Sequence, residues 1–523
     1  VSADFDVAVA GSGFAGSLIA AIAKRLGRSV VLLERGKHPR FAIGESSTPL
    51  ANLLLDELAQ RYDLPRLLPL TKWGKWQQAY PKISCGLKRG FTFYHHQTGR
   101  AFQRDPLRQN QLLVAASPAD HVADTHWYRP DFDQFLVEEA QAGGAEYVDQ
   151  IALDTLEFRG GQVQLEGERQ GKRLSMRTRF LIDATGPRGF LHRALQLPEA
   201  PFEHLSATEA LFSHFTDVHR LSEMEAFREA ERPPYPVDDA AVHHVFEGGW
   251  IWVLRFNNGI TSAGVAATKE FARTLRFMEG KAAWQRLLEG LPSIREQFEG
   301  SVAQCPFVHM PQLGFRSRTI VGPQWGLLPS AAGFVDPLLS TGFPLTLAGV
   351  TRLVRALEED WETPRFEGRL RDYASETIEE LRAAELLVAA LYAAMKDFPT
   401  FSALTLLYFA AVSFSETVRR LGKTELAPSF LLRNRTTFHG QLQHLCLEAL
   451  SILREREMTA RERAAFWEAI YRAIEPIDVA GLGKASRRNW HPVDAQDLLG
   501  AANKCEATVE EMKALLVRCG FGN

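Results

Sequence analysis

Residues 4–16, DFDVAVAGSGFAG, restrict this chain more than any other stretch. An apolar run at residues 7–10 leads straight into Gly11-x-Gly13-x-x-Gly16, and residues 17–25 carry Leu18, Ile19, Ile22 and Ala23 at helical spacing. The pattern predicts a strand, a tight turn and a helix. Gly11 permits the turn, Gly13 lets backbone approach a pyrophosphate, and Gly16 lets helix pack on strand. Phe14 and Ala15 fall at the helix N-terminus, where unpaired N–H groups and the helix dipole favour an anion. A second strand, residues 29–33, ends in Glu34, 18 residues beyond Gly16 and followed by Arg35. An acid in that place binds ribose hydroxyls, so the expectation is a parallel α/β sheet holding a dinucleotide.

Composition narrows the class. The chain has 523 residues, 46% hydrophobic and 24% charged, which suits two to four globular domains. A net charge of −3 with dispersed basic residues excludes a nucleic-acid or anionic-membrane surface, leaving a small molecule or a protein as partner. The five cysteines are odd in number and lack metal spacing, so free thiols in a reducing cytoplasm and no metal are expected. With the first strand entered at once, no signal peptide is expected. The most apolar late stretch, residues 401–414, is 14 long and reads as too short to span a membrane.

Along the chain, Ser46-Ser47-Thr48-Pro49 suits a cap opening a helix over residues 50–61. Residues 62–80 read as irregular, two short strands as falling near 86–95, and residues 103–124 as a loop-rich excursion of substrate-binding type. Asp131 and Asp133 are expected to cap a helix over 134–142. Four strands with a Gly160-Gly161 hairpin lead to the buried run Phe180-Leu181-Ile182-Asp183, ending in Ala184-Thr185-Gly186. Residues 200–300 read as an antiparallel sheet inserted into the nucleotide fold. Gly326 to Gly342 is a glycine-punctuated crossing into a helix at 344–359, and strand signals fade beyond residue 360. The expected organisation is a discontinuous nucleotide-binding domain, residues 1–360, with insertions near 80–125 and 200–300, followed by a helical region, 361–523.

Taken together, the glycine fingerprint, Glu34, Gly44-Glu45-Ser46, Arg129, Asp183-x-Thr185-Gly186 and Phe334-x-x-Pro337-x-x-Ser340-x-Gly342 resemble the flavin-dependent halogenases. These belong to the FAD monooxygenase and geranylgeranyl-reductase superfamily, with a glutathione-reductase-type fold. The resemblance covers residues 4 to about 360. It implies FAD held by Gly11, Gly13, Phe14, Ala15, Gly16, Glu34, Arg35, Ser46, Ser47, Arg129, Thr185, Gly186, Ser330, Pro337, Gly342 and Phe343. It also implies a halide ion, chloride or bromide, on the backbone amides of Thr341 and Gly342, which adjacent N–H groups before a helix can hold. Lys88 resembles the lysine that presents hypohalous acid to the substrate, and burial would suit it to that role by lowering its pKa. No second glycine fingerprint for NAD(P)H appears, so reduced FAD is expected from a separate reductase.

Trp250 and Trp252, two apart on one strand face, resemble the family's Trp-x-Trp-x-Ile-Pro signature. Three positions depart from the family. Arg255 stands where the signature has proline, Ser330 where the wider group has Gly-Asp, and Leu339 where tryptophan halogenases have glutamate. Without that carboxylate the resemblance implies a phenolic or pyrrolic substrate, free or carrier-bound. Arg255 and Ser330 also fit an FAD monooxygenase or dehydrogenase/reductase that uses no halide, and that alternative stays open at this point.

Overall fold

The computed structural model describes residues 2–521. Its first layer is an eight-stranded sheet with parallel strands Glu146–Val148, Val30–Leu33, Ser2–Ala10, Lys172–Asp183 and Trp325–Leu327 as successive neighbours. The first strand pairs with the long one so that Val7 lies opposite Phe180 and Ala10 opposite Asp183. Both strands therefore end at one level, and the Gly11 turn meets Ala184 there. Gly11 has φ +96°, and a Cβ on it would stand 2.6 Å from the Ala184 oxygen. One on Gly16 would stand 1.9 Å from the Gly11 oxygen. Only glycine lets the helix Phe14–Arg25 approach this closely.

The inserted sheet has nine strands, with Thr208–Thr216, Thr261–Thr268, Gly249–Arg255 and Ala241–Phe246 as an antiparallel run. Ala241–Phe246 pairs in parallel with Gly90–His95, which pairs antiparallel with Gln111–Ala115. The last of these corrects the loop-rich reading of 103–124, whose aperiodic Gln111-Leu112-Leu113-Val114 is a strand buried on both faces. Residues 62–80 are likewise more regular than expected, with a 3-10 turn Pro65–Thr71 and a helix Trp73–Ala79 whose Trp76 is buried. Thr48 caps the helix Pro49–Arg61 as read, its hydroxyl accepting from the Ala51 N–H at 3.1 Å. The cap expected from Asp131 and Asp133 does not form. That helix starts earlier, Arg129–Ala142, without a side-chain cap, because Asp133 is held by Arg129.

Beyond residue 360 the long helices are Phe366–Ala394, Phe398–Arg420, Thr436–Leu453 and Ala460–Ile474, with Val509–Arg518 near the end. Phe398–Arg420 extends well past its apolar centre. It is long and apolar enough by length and composition to cross a membrane, and 83% of its most apolar window is buried inside the protein. Phe409 and Phe401 of this helix pack edge-on against Phe91 and Phe93 of the inserted sheet, at 5.1 and 5.9 Å. A two-residue strand, Trp490–His491, joins the edge of the same sheet beside Gln111–Ala115.

Candidate functional site

A cavity of about 350 Å³ opens where the parallel strands end. Gly13, Phe14, Ala15 and Gly16 line it from the first turn, and Thr185 and Gly186 from the second strand end. Glu34 closes the end of its own strand. One carboxylate oxygen accepts from Ser12 N at 3.1 Å and Ser12 Oγ at 2.9 Å, the other from Gly36 N at 2.8 Å. Burial pushes its pKa up, but the Arg40 guanidinium and these hydrogen bonds outweigh that and hold it below the ordinary value. Glu34 is therefore ionised at neutral pH. Arg35 beside it is exposed and does not line this cavity.

Arg129 lines the cavity and fixes its rim. Its Nε and Nη2 donate to the two carboxylate oxygens of Asp133 at 2.7 and 2.8 Å, and its Nη1 to the carbonyls of Ile43 and Gly44 at 3.2 and 2.9 Å. This clamp holds the Gly44-Glu45-Ser46 loop over Gly13. Thr185 is fixed by Asp183, which accepts from its N–H and its hydroxyl. The opposite wall is built from Ser330, Pro337, Ser340, Thr341, Gly342 and Phe343. Here Leu339 and Ser340 adopt φ of +63° and +55°, costing about 1 kcal/mol or more each. They turn the chain into the helix Gly342–Glu359, whose first N–H groups have no helical partners. Phe343 stacks on Trp127 at 4.5 Å and meets Phe14 edge-on at 5.0 Å.

Trp250 and Trp252 share a face and line the cavity, with ring centres 5.8 Å apart and His243 stacked on Trp250 at 5.1 Å. Leu254 continues the face and Arg255 alternates away from it. Arg255 donates to the carbonyls of Val218 and His219, and Asp238 lies 3.6 Å away. The residue that replaces proline thus anchors the loop after residue 217. Leu339 is fully buried and does not line this cavity.

Lys88 ends the strand Cys85–Lys88 with no exposed surface. Its Nζ donates to Ser46 Oγ at 2.9 Å and to the Ser47 carbonyl, and sits 3.8 Å from the centre of the Phe91 ring. Burial pulls its pKa down to about 7, against the attraction of Asp124. Ser46 lines the first cavity. Phe91 lines a second one of about 530 Å³, together with Thr48, Asn52, Val114, Tyr408, Phe409 and His491. Lys88 therefore stands between the two. Ser47 lines neither, since its hydroxyl donates to the Thr125 carbonyl and accepts from Asn52.

Cavity residues not identified as site residues from the sequence include Arg40, Glu45, His243 and Phe334. Glu45 and Phe334 stood inside motifs already recognised, whereas nothing in the sequence marks His243. Glu45 pairs with His214 at 2.7 Å.

The sequence profile of the tryptophan halogenases matches residues 96–399, more than half of the chain. This chain belongs to that flavin-dependent halogenase family. Among curated relatives of the family, the tetracycline 7-halogenase of Kitasatospora aureofaciens is 29% identical over 375 residues, covering 69% of this chain and 66% of the relative. The monodechloroaminopyrrolnitrin halogenase PrnC of Pseudomonas fluorescens is 31% identical over 375 residues, covering 69% of this chain and 64% of the relative. The aligned region thus spans just under two thirds of either relative. A crystal structure of the halogenase PltM in complex with phloroglucinol and FAD superposes with a TM-score of 0.77 at 24% identity, covering 92% of this chain and 99% of that one. The halogenase fold therefore extends through the helical C-terminal region, well beyond the part legible from motifs.

Proposed function

We propose that this protein is a halogenase that uses reduced FAD, O₂ and a halide to halogenate an electron-rich aromatic, phenolic or pyrrolic, free or carrier-bound. One observation carries the reading: Lys88, wholly buried, links a nucleotide-type cavity through Ser46 to a second, aromatic-lined cavity through Phe91.

The residues fit FAD. A Cβ on Gly186 would meet nothing within 4 Å, so the chain there leaves room for a ligand. His38 Nδ1 and Arg40 Nε beside Glu34 are buried without a hydrogen-bond partner, which suits an adenosine ribose and its phosphates. The N-termini of two helices, Phe14–Arg25 and Gly342–Glu359, supply positive potential at the pyrophosphate turn and beside the ring end. When bound and reduced, FAD would supply two electrons to O₂, and the halide would give up two more to one of its oxygens, leaving hypohalous acid, water and oxidised FAD.

The chain's own residues do the rest. Thr341 and Gly342 hold the halide with backbone N–H groups, and the left-handed Leu339 and Ser340 aim them. Trp250, Trp252 and Phe343 exclude water from the ring end. Lys88, with a pKa near 7, switches between an ammonium that donates a hydrogen bond to hypohalous acid and a neutral amine. It delivers the electrophilic halogen into the 530 Å³ cavity. The reduced flavin comes from a separate reductase. We further read residues 1–360 as the flavin-binding domain and 361–523 as a helical region that closes the substrate cavity. Five free cysteines and the burial of Phe398–Arg420 support work in the reducing cytoplasm.

The test is paired. Lys88→Ala should bind FAD, oxidise reduced flavin and release hypohalous acid at near-normal rates, while halogenated product falls by about 10²- to 10⁴-fold. Lys88→Arg should not restore it, because a guanidinium stays protonated. Wild-type product rates from the alanine variant would overturn the role of Lys88. Hydroxylated product alone from wild type, whatever the halide, would overturn halogenation.

A further inference from the structure

The second cavity contains buried polar groups that the halogenase reading does not use. His491 is 4% exposed, and among the described residues neither of its ring nitrogens has a hydrogen-bond partner. Tyr408 is 1% exposed and Ser117 4%, and both hydroxyls also lack partners among the described residues. All three residues line the cavity. Buried groups of this kind destabilise a fold unless something hydrogen-bonds them.

Their placement follows from the sheet. Phe91 pairs with Val114, and Val114 pairs with His491. Residues directly opposite one another share a face. Phe91, Val114 and His491 therefore form one row across three strands, with Lys88 Nζ over the ring at its far end. Two strand spacings put His491 roughly 10 Å from Phe91. That span admits one aromatic ring system with its substituent. Tyr408 and Phe409 of the helix Phe398–Arg420 form another wall of the same cavity.

We propose that His491 is a catalytic residue that takes the proton of an ionisable ring substituent, a phenolic O–H or a pyrrole-type N–H, on the substrate in this cavity. The inference rests on the halogenase reading and assigns the substrate class to its second cavity. Tyr408 is the second anchor of the same substituent.

In the step, a ring carbon uses a π pair to bond the halogen, and the halogen–oxygen bond of hypohalous acid breaks. Hydroxide leaves as water with a proton from the Lys88 ammonium. Positive charge on the ring makes the substituent strongly acidic, and its proton passes to the imidazole. The ring C–H proton then goes to the Lys88 amine, and the imidazolium returns its proton to the substituent. The sum is phenol plus hypohalous acid giving halophenol plus water. Burial, with Arg487 adding to it and Asp497 opposing, lowers the His491 pKa to about 4. The ring therefore arrives neutral with one nitrogen able to accept.

The experiment uses the full chain with chemically reduced FAD and bromide. Its probes are resorcinol and the dimethyl ether of resorcinol, both electron-rich but only one carrying O–H. In His491→Phe, bromination of resorcinol should fall on the order of 10²-fold, bromination of the ether should stay at the wild-type rate, and hypohalous acid trapped by monochlorodimedone should be unchanged. His491→Gln keeps an acceptor but no base, so it should hold KM near wild type and lower kcat. Equal effects on both probes, or none on resorcinol, would overturn the proposal. Should wild type release no hypohalous acid, the halogenase reading fails by itself. Calorimetric binding then decides the site: resorcinol should weaken about 10-fold in His491→Phe and the ether not at all, and equal affinities would sink it.

Discussion

Replacing Lys88 by methionine isolates the energetic consequence of a wholly buried amine. Its folded pKa of about 7 lies below the ordinary 10.5, because burial disfavours the ammonium more than Asp124 stabilises it. Below pH 7 both the folded and unfolded states are charged, so the wild type carries the full penalty of the shift. Between about 7 and 10.5 the folded state has lost its proton and the unfolded state has not, so wild-type stability rises with pH. Above 10.5 the penalty is gone. The gap of about 3.5 corresponds to about 5 kcal/mol. Methionine keeps the volume but leaves Ser46 and the Ser47 carbonyl without their donor, a loss of about 1–3 kcal/mol that does not vary with pH. Lys88→Met should therefore be more stable than wild type by about 2–4 kcal/mol near pH 6. The advantage should shrink by about 1.4 kcal/mol per pH unit above pH 7. Urea denaturation followed by tryptophan fluorescence, at constant ionic strength from pH 6 to about 9.5, reads this directly. Parallel stability curves for the two proteins would refute the reasoning and mean that the amine is solvated.

Three further outcomes are expected. Gly13→Val places a branched side chain where a Cβ already lies 3.5 Å from Arg129 and 3.7 Å from Arg40, so the variant should fold but purify without flavin absorbance; retained stoichiometric FAD would contradict the site. Free tryptophan should be a poor substrate, because Leu339 is buried, lines neither cavity and brings no carboxylate to an indole N–H; efficient single-position halogenation of tryptophan in a reductase-coupled assay would contradict this. Arg255→Ala removes donors to the Val218 and His219 carbonyls and should cost about 1–3 kcal/mol in thermal or urea unfolding. Its halogenation rate per folded molecule should stay at the wild-type level, and loss of chemistry without loss of stability would return Arg255 to the active site.

The local features were legible because each is dictated by neighbours in sequence. Gly11 and Gly16 sit where no Cβ fits, Thr48 caps the helix that follows it by accepting from the N–H three residues on, and the alternation of Trp250, Trp252 and Leu254 puts all three on one face. From such pieces the parallel sheet, the inserted sheet and the glycine turn, Arg129 and the Thr341–Phe343 wall of the first cavity follow. What stayed hidden depends on chain segments far apart in sequence. Gln111–Ala115 lacks period because it is covered on both faces, so a buried strand looks like a loop. Asp133 looked like a helix cap, but Arg129 holds it and uses the pair to clamp residues 43 and 44. Arg255 looked like a departure in the signature, yet strand alternation turns it toward a loop. The strand Trp490–His491 is too short to read from any pattern, and only pairing with Gln111–Ala115 brings His491 into the row with Phe91. Sequence alone determined where backbone can bend and which nucleotide-type turn results, since steric limits act between adjacent residues. The tertiary structure decided which side of each strand meets which cavity, and so placed Lys88 between two of them.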